Sequence, residues 1–138
     1  MEERSVAGWT VRCDPAAGRR AARARPPAAD VCGCDACRNY AAQRDQALDP
    51  TRRAELEALG IDPGRESDLC HLGRDGDGLH RYCLRFEFVG AVLAAPPEGD
   101  AGSPWRAGPL AGNEEAGNGA WIECEVALEW RLDLGELP

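Results

Sequence analysis

The chain has 138 residues, 43% of them hydrophobic, with 24 acidic residues against 16 basic ones and a formal net charge of −8. That length is one domain's worth, residues 1–138, and the apolar fraction excludes wholesale disorder. The acidic balance repels phosphate backbones and argues against nucleic-acid binding as the main role.

The opening residues, Met1 to Trp9, are charged and then amphipathic, without the continuous apolar run of a signal peptide. The most apolar segment, Phe86 to Pro97, is broken by Glu87, Gly90 and two prolines, and falls short of the roughly 20 residues a membrane helix needs. A cytoplasmic, reducing setting is therefore expected. There the 7 cysteines would be free thiols or metal thiolates rather than a disulfide framework.

Val6 to Arg12 reads as a first strand, with Trp9 and Val11 facing one way. Residues 14–29 show no hydrophobic period and run into a proline pair. Arg19, Arg20, Arg23 and Arg25 give this stretch a basic look, but within so acidic a chain a solvated loop is the expected state, flexible over 19–29.

Next comes the sharpest chemical feature, Cys32-Gly33-Cys34-Asp35-Ala36-Cys37, three thiols in six residues. Cys-x-Cys brings two sulfurs to one side of a turning backbone, and Gly33 lets that turn tighten. Cys34-x-x-Cys37 adds a third sulfur from a helix start, where free N–H groups favour thiolate over thiol. Structural zinc takes four such ligands in a tetrahedron. A fourth would come from Cys70, His71, His80 or Cys83. Cys70 is preferred, because a turn at Asp75 to Gly78 sets it and Cys83 on adjoining strands. Cys13 and Cys124 read as core thiols.

Asp35 to Leu48 is helical in composition. Asp49 can cap a second helix with Pro50 in its first turn, ending at Gly60, with Leu56, Leu59 and Ile61 on the buried edge. These two helices form an αα-hairpin. From Ser67 the period changes to two. Leu69 to Leu72 is a strand, and Asp75-Gly-Asp-Gly is a hairpin turn rather than a calcium loop. In the long next strand His80, Tyr82, Leu84, Phe86, Phe88 and Val92 share one face and Arg81, Cys83, Arg85 and Glu87 the other. Residues 96–118 form a Pro/Gly-rich flexible connection with Trp105 as an anchor. In the last strand Ile122, Cys124, Val126, Leu128, Trp130 and Leu132 alternate with Glu123, Glu125, Glu129 and Arg131. The fold class expected is α+β, an antiparallel sheet with the helices packed on one face.

Cys34-Asp-Ala-Cys37-Arg-Asn-Tyr40, Leu59-Gly-Ile-Asp-Pro63 and Phe86-Glu-Phe-Val-Gly90 together resemble a family of small uncharacterised bacterial proteins. The resemblance covers roughly residues 30–93. It implies a discrete folded domain, with aromatic or glycine residues where this chain has Cys70 and Cys83.

No nucleophile elbow, phosphate-binding loop or zinc-protease helix is present. The first expectation is a small cytoplasmic, non-enzymatic protein-binding domain with a structural zinc site at Cys32, Cys34, Cys37 and Cys70. Its partner would meet Trp121, Glu123, Glu125 and Glu129 on the acidic strand face. A second expectation is an acidic immunity or inhibitor protein against a basic toxin or nuclease. A third is a thiol redox protein using Cys34 and Cys37.

Overall fold

The computed structural model describes residues 1–97, 105–110 and 119–132. Among the described residues, seven strands and four helices are arranged in an α+β fold. The order is β1 (Glu2–Val6), β2 (Trp9–Cys13), α1 (Pro15–Arg23), α2 (Ala28–Cys32), α3 (Asp35–Ala47), α4 (Pro50–Ala58), β3 (Asp68–Arg74), β4 (His80–Phe88), β5 (Gly90–Ala94), β6 (Arg106–Pro109) and β7 (Ala120–Leu128). No helix among the described residues is long and apolar enough to cross a membrane.

There are two antiparallel sheets, β1-β2-β5 and β3-β4-β7-β6, rather than the single sheet expected. The long strand 80–92 divides after Phe88. Gly90 has φ +152°, and a Cβ there would lie 1.9 Å from the carbonyl oxygen of Arg12. The chain can leave the larger sheet and pair with β2 because this residue lacks a side chain. Gly90→Ala is expected to separate β5 from β2 and cost about 3 kcal/mol or more, read as a lower denaturation midpoint. Unchanged stability would show that the crossing tolerates a side chain.

The first strand is also a hairpin rather than one run. Ala7 (φ +49°) and Gly8 (φ +87°) form a two-residue turn with positive φ at both positions, the geometry that matches strand twist. Residues 14–29 are not a loop. Asp14 caps α1 through Ala17 N–H (3.1 Å), with Pro15 in the first turn. The arginines of α1 share one face and Ala17, Gly18, Ala21 and Ala22 the other, and α1 packs tightly because Gly60 at φ +86° lets α4 end against Pro15, where a Cβ would be 2.4 Å from its carbonyl oxygen.

Asp49 caps α4 through Arg52 N–H at 2.8 Å, as the sequence implies. α3 and α4, joined by Leu48 and Asp49, serve different sheets. α3 lies on β7 and β3 of the larger sheet, while α4 lies on β1, where Glu55 accepts from Ala7 N–H (2.9 Å). The core between helices and sheets contains Val6, Val11, Tyr40, Leu56, Leu59, Tyr82, Leu84, Phe86 and Ile122, all fully buried or nearly so. The alternation read from β4 and β7 thus holds: Tyr82, Leu84, Phe86 and Phe88 point to the helices, as do Ile122 and Cys124. Cys13 is also in the core. Trp105 is buried and its carbonyl accepts from Trp9 Nε1 (3.1 Å), an anchor as expected. Beside it, residues 106–109 form β6; the rest of the expected flexible connection, 98–104 and 111–118, lies outside the described residues.

Candidate metal centre

The cysteine cluster sits where α2 stops and α3 starts. Cys32 is the last residue of α2, and Gly33 closes that helix in the left-handed conformation (φ +67°), its N–H reaching Ala29 O at 3.2 Å. The reversal turns the chain so that Cys34 becomes the N-cap of α3. Its sulfur accepts from the backbone N–H of Cys37, one turn into the helix, at 3.5 Å. The three Sγ atoms consequently lie within 4.8 Å of one another, the one such group of His, Cys, Asp or Glu among the described residues. Cys32 and Cys34 are exposed and Cys37 is buried.

The two ends of this turn titrate apart. The N–H of Cys37 and the thiols of Cys32 and Cys37 all stabilise a negative Cys34 sulfur and pull its pKa below the ordinary thiol value. Burial, and then the neighbouring Cys34 and Cys32 sulfurs, push Cys37 up to about 12. In metal-free protein, alkylation at pH 7–8 should therefore label Cys34 well before Cys37. Peptide mass mapping over time checks this, and equal rates would contradict the arrangement.

Polar residues that carry no motif of their own hold the frame. Glu66, 1% exposed, accepts from Ala29 N–H (3.2 Å) at the start of α2, and its carbonyl takes Ala28 N–H (2.9 Å). Arg44 of α3 grips the same carboxylate through Nε (3.1 Å) and Nη2 (2.8 Å), and also reaches Asp30 of α2 at 3.1 Å. Asn39 donates to Tyr82 Oη (3.2 Å) and Glu129 O (3.0 Å) and accepts from Arg131 N–H (2.8 Å). Tyr82 in turn donates to Ala36 O (2.9 Å), inside the Cys34–Cys37 turn. The one available signal was spacing: Asn39 and Gln43 are polar side chains at i and i+4 on the buried side of α3.

The expected fourth ligand, Cys70, is not brought to this group. It pairs in register with Cys83, which alternates with the helix-facing Tyr82 and Leu84, so both thiols lie on the far face of the sheet. A one-residue step reverses the side-chain face of a strand. By the same rule His71, in register with Tyr82, lies on the helix side. Its ring packs 5.1 Å from that of Tyr82, and its Nε2 is 2.9 Å from Nδ1 of His80. Trp130 is half-buried against both imidazoles rather than in the core. No family model, curated protein or solved structure matches this chain.

The strand face expected to be acidic is internally neutralised. Glu123 is buried, not solvated: Arg85 (2.9 Å) and Arg106 (3.1 Å) clamp its carboxylate from the two neighbouring strands. Arg85 also stacks on Trp121, 4.3 Å from the ring centroid, and Trp121 Nε1 donates to Pro109 O (3.0 Å). Arg85 comes from β4 and Arg106 from β6, so strand pairing sets both against the β7 carboxylate. Of the expected partner-facing acids, Glu125 and Glu129 are the exposed ones.

Proposed function

We propose that the chain is a small non-enzymatic protein-binding domain in which Cys32, Cys34 and Cys37 hold a structural zinc ion. The carrying observation is the approach of the three Sγ atoms within 4.8 Å. Tetrahedral zinc with Zn–S near 2.3 Å sets sulfurs about 3.8 Å apart, so a small contraction completes three corners. Bound metal would offset the burial and the neighbouring sulfurs that keep Cys37 protonated, and would fix the α2–α3 junction to the sheet through Tyr82.

The fourth ligand in this reading is His71. It lies on the helix side of the sheet but, like Cys70, outside the group of three sulfurs; with Nε2 engaged by His80, Nδ1 is the atom that would have to be drawn onto the metal. A ligating imidazole that donates through its other nitrogen is the usual arrangement around zinc.

Elemental analysis of untagged protein purified under reducing conditions tests the site. One zinc per chain is expected, lost in Cys37→Ser and surrendered more readily to a competing chelator in His71→Gln. No metal, with all thiols freely alkylated, would remove the reading. Zinc held as tightly in His71→Gln as in the parent would remove His71 alone.

For the partner face, Glu125 and Trp121 on the uncovered side of the larger sheet are the proposed contacts. Glu125→Arg should weaken capture of a basic partner and flatten its salt dependence; unchanged binding would count against both the general partner face and the immunity reading. The stabilised Cys34 thiolate favours a second function, thiol–disulfide exchange through Cys34 and Cys37. It requires Cys34→Ser to abolish disulfide reduction by metal-free protein.

A further inference from the structure

Two thiols remain outside the cluster just described and outside the core. Cys70 on β3 and Cys83 on β4 are directly opposite in an antiparallel pair, on the face turned away from the described helices. β3 is an edge strand of its sheet, and Cys70 is exposed while Cys83 is half-buried. Directly opposed residues hold their Cβ atoms about 4.5–5.5 Å apart and their Cα atoms about 4.5–5.5 Å apart. A disulfide needs Cα atoms roughly 4.4–6.8 Å apart and Cβ atoms about 3.5–4.5 Å apart, so closure asks for little more than side-chain rotation and a slight approach of an edge strand.

We propose that Cys70 and Cys83 form a cross-strand dithiol that exchanges with small-molecule disulfides of the glutathione type, stapling β3 to β4. The proposal does not rest on the zinc reading. Cys70, the accessible thiol, attacks as thiolate on one sulfur of the small disulfide. A mixed disulfide forms on Cys70 and one small thiolate leaves. Cys83 then attacks Sγ of Cys70, the protein S–S bond forms and the second small thiolate leaves. The two protons given up by the protein thiols go to the two leaving thiolates, and the small disulfide is the oxidant reduced. The order of attack follows from access. Burial, and then the Glu123 carboxylate, raise the pKa of Cys83, which suits it to wait for a neighbouring mixed disulfide rather than to meet solvent oxidant first. The staple would fix the strand that carries His71 and the bulge between His71 and Gly73.

The sequence supplies a clean readout. Arg65, Arg74, Arg81 and Arg85 direct trypsin to release residues 66–74 and 82–85 as separate peptides, each with one of the two cysteines. The full-length protein is equilibrated with mixtures of oxidised and reduced glutathione, remaining thiols are blocked with N-ethylmaleimide, and the digest is analysed without reduction. A joined 66–74/82–85 pair, two hydrogens lighter than the sum of its parts, is expected to grow with the proportion of oxidised glutathione. Cys83→Ser should stop at peptide 66–74 carrying one glutathione, and Cys70→Ser should leave Cys83 largely blocked by maleimide. Three results would overturn the proposal: both peptides blocked by maleimide at every ratio, glutathione retained on Cys70 of the parent with Cys83 blocked, or Cys70 joined to the Cys32–Cys37 peptide.

Discussion

Glu66→Ala is expected to destabilise the fold by about 3–5 kcal/mol, the cost of removing one partner from a buried ion pair. The Glu66 carboxylate is fully buried and the Arg44 side chain is 14% exposed, so the remaining guanidinium would be poorly solvated. The same substitution deprives Ala29 N–H of its acceptor, and an unmet buried donor costs about 1–3 kcal/mol by itself. Chemical denaturation gives the number. Glu66→Gln, which keeps shape and one acceptor oxygen, should cost less. The double variant Glu66→Leu/Arg44→Met should recover the ion-pair part of the loss, since apolar replacements of a buried pair are often neutral or better, but not the part due to the unmet Ala29 N–H. If Glu66→Ala loses under about 1 kcal/mol, the carboxylate is not the clamp between α2, α3 and the start of β3.

Zinc removal is expected to be the second large effect. Metal that binds the folded chain alone stabilises it by about 4 kcal/mol when free zinc exceeds the dissociation constant roughly a thousandfold. For a domain of this size that corresponds to a melting point lower by roughly 10–20 °C in chelator. The pH dependence has a definite sign. Thiols must lose protons to bind, and Cys37 holds its proton up to about 12 without metal, so loading should release protons and weaken as pH falls. A pH-indicator titration with zinc detects that release. Equal melting points with zinc and with chelator would show that the junction stands without metal.

Much of the fold is legible in the residues, and the failures share a physical cause. Asp49-Pro50 was readable as a helix start, and Asp14-Pro15 is the same signal with the same cap geometry. Helix α1 is nevertheless hard to see in the residues, because its inward face is only alanine and glycine and carries no large apolar side chain. Its packing depends on backbone closeness at Gly60 rather than on large side chains. The period of two placed Tyr82, Leu84, Phe86 and Ile122 in the core correctly. It could not show that the strand 80–92 breaks, because Val92 keeps the alternation across a change of sheet.

The candidate site divides in the same way. The crowding of Cys32, Cys34 and Cys37 is local in its pattern: a helix end, one left-handed glycine and a helix start bring three sulfurs together, and the distant Glu66 and Tyr82 then hold that junction. Charge count, alternation and caps are likewise properties of neighbours in sequence, and the sequence alone determined them. What the tertiary structure decided depends on which strands lie side by side. The register of β3 on β4 sends Cys70 and Cys83 to one face and His71 to the other. Pairing of β7 between β4 and β6 sets Arg85 and Arg106 on Glu123 and neutralises that member of an apparent acidic stripe, leaving Glu125 and Glu129 exposed. Glu66 and Arg44, 22 residues apart, meet only because two helices and a strand converge there. No local pattern encodes a contact whose partners are chosen by packing.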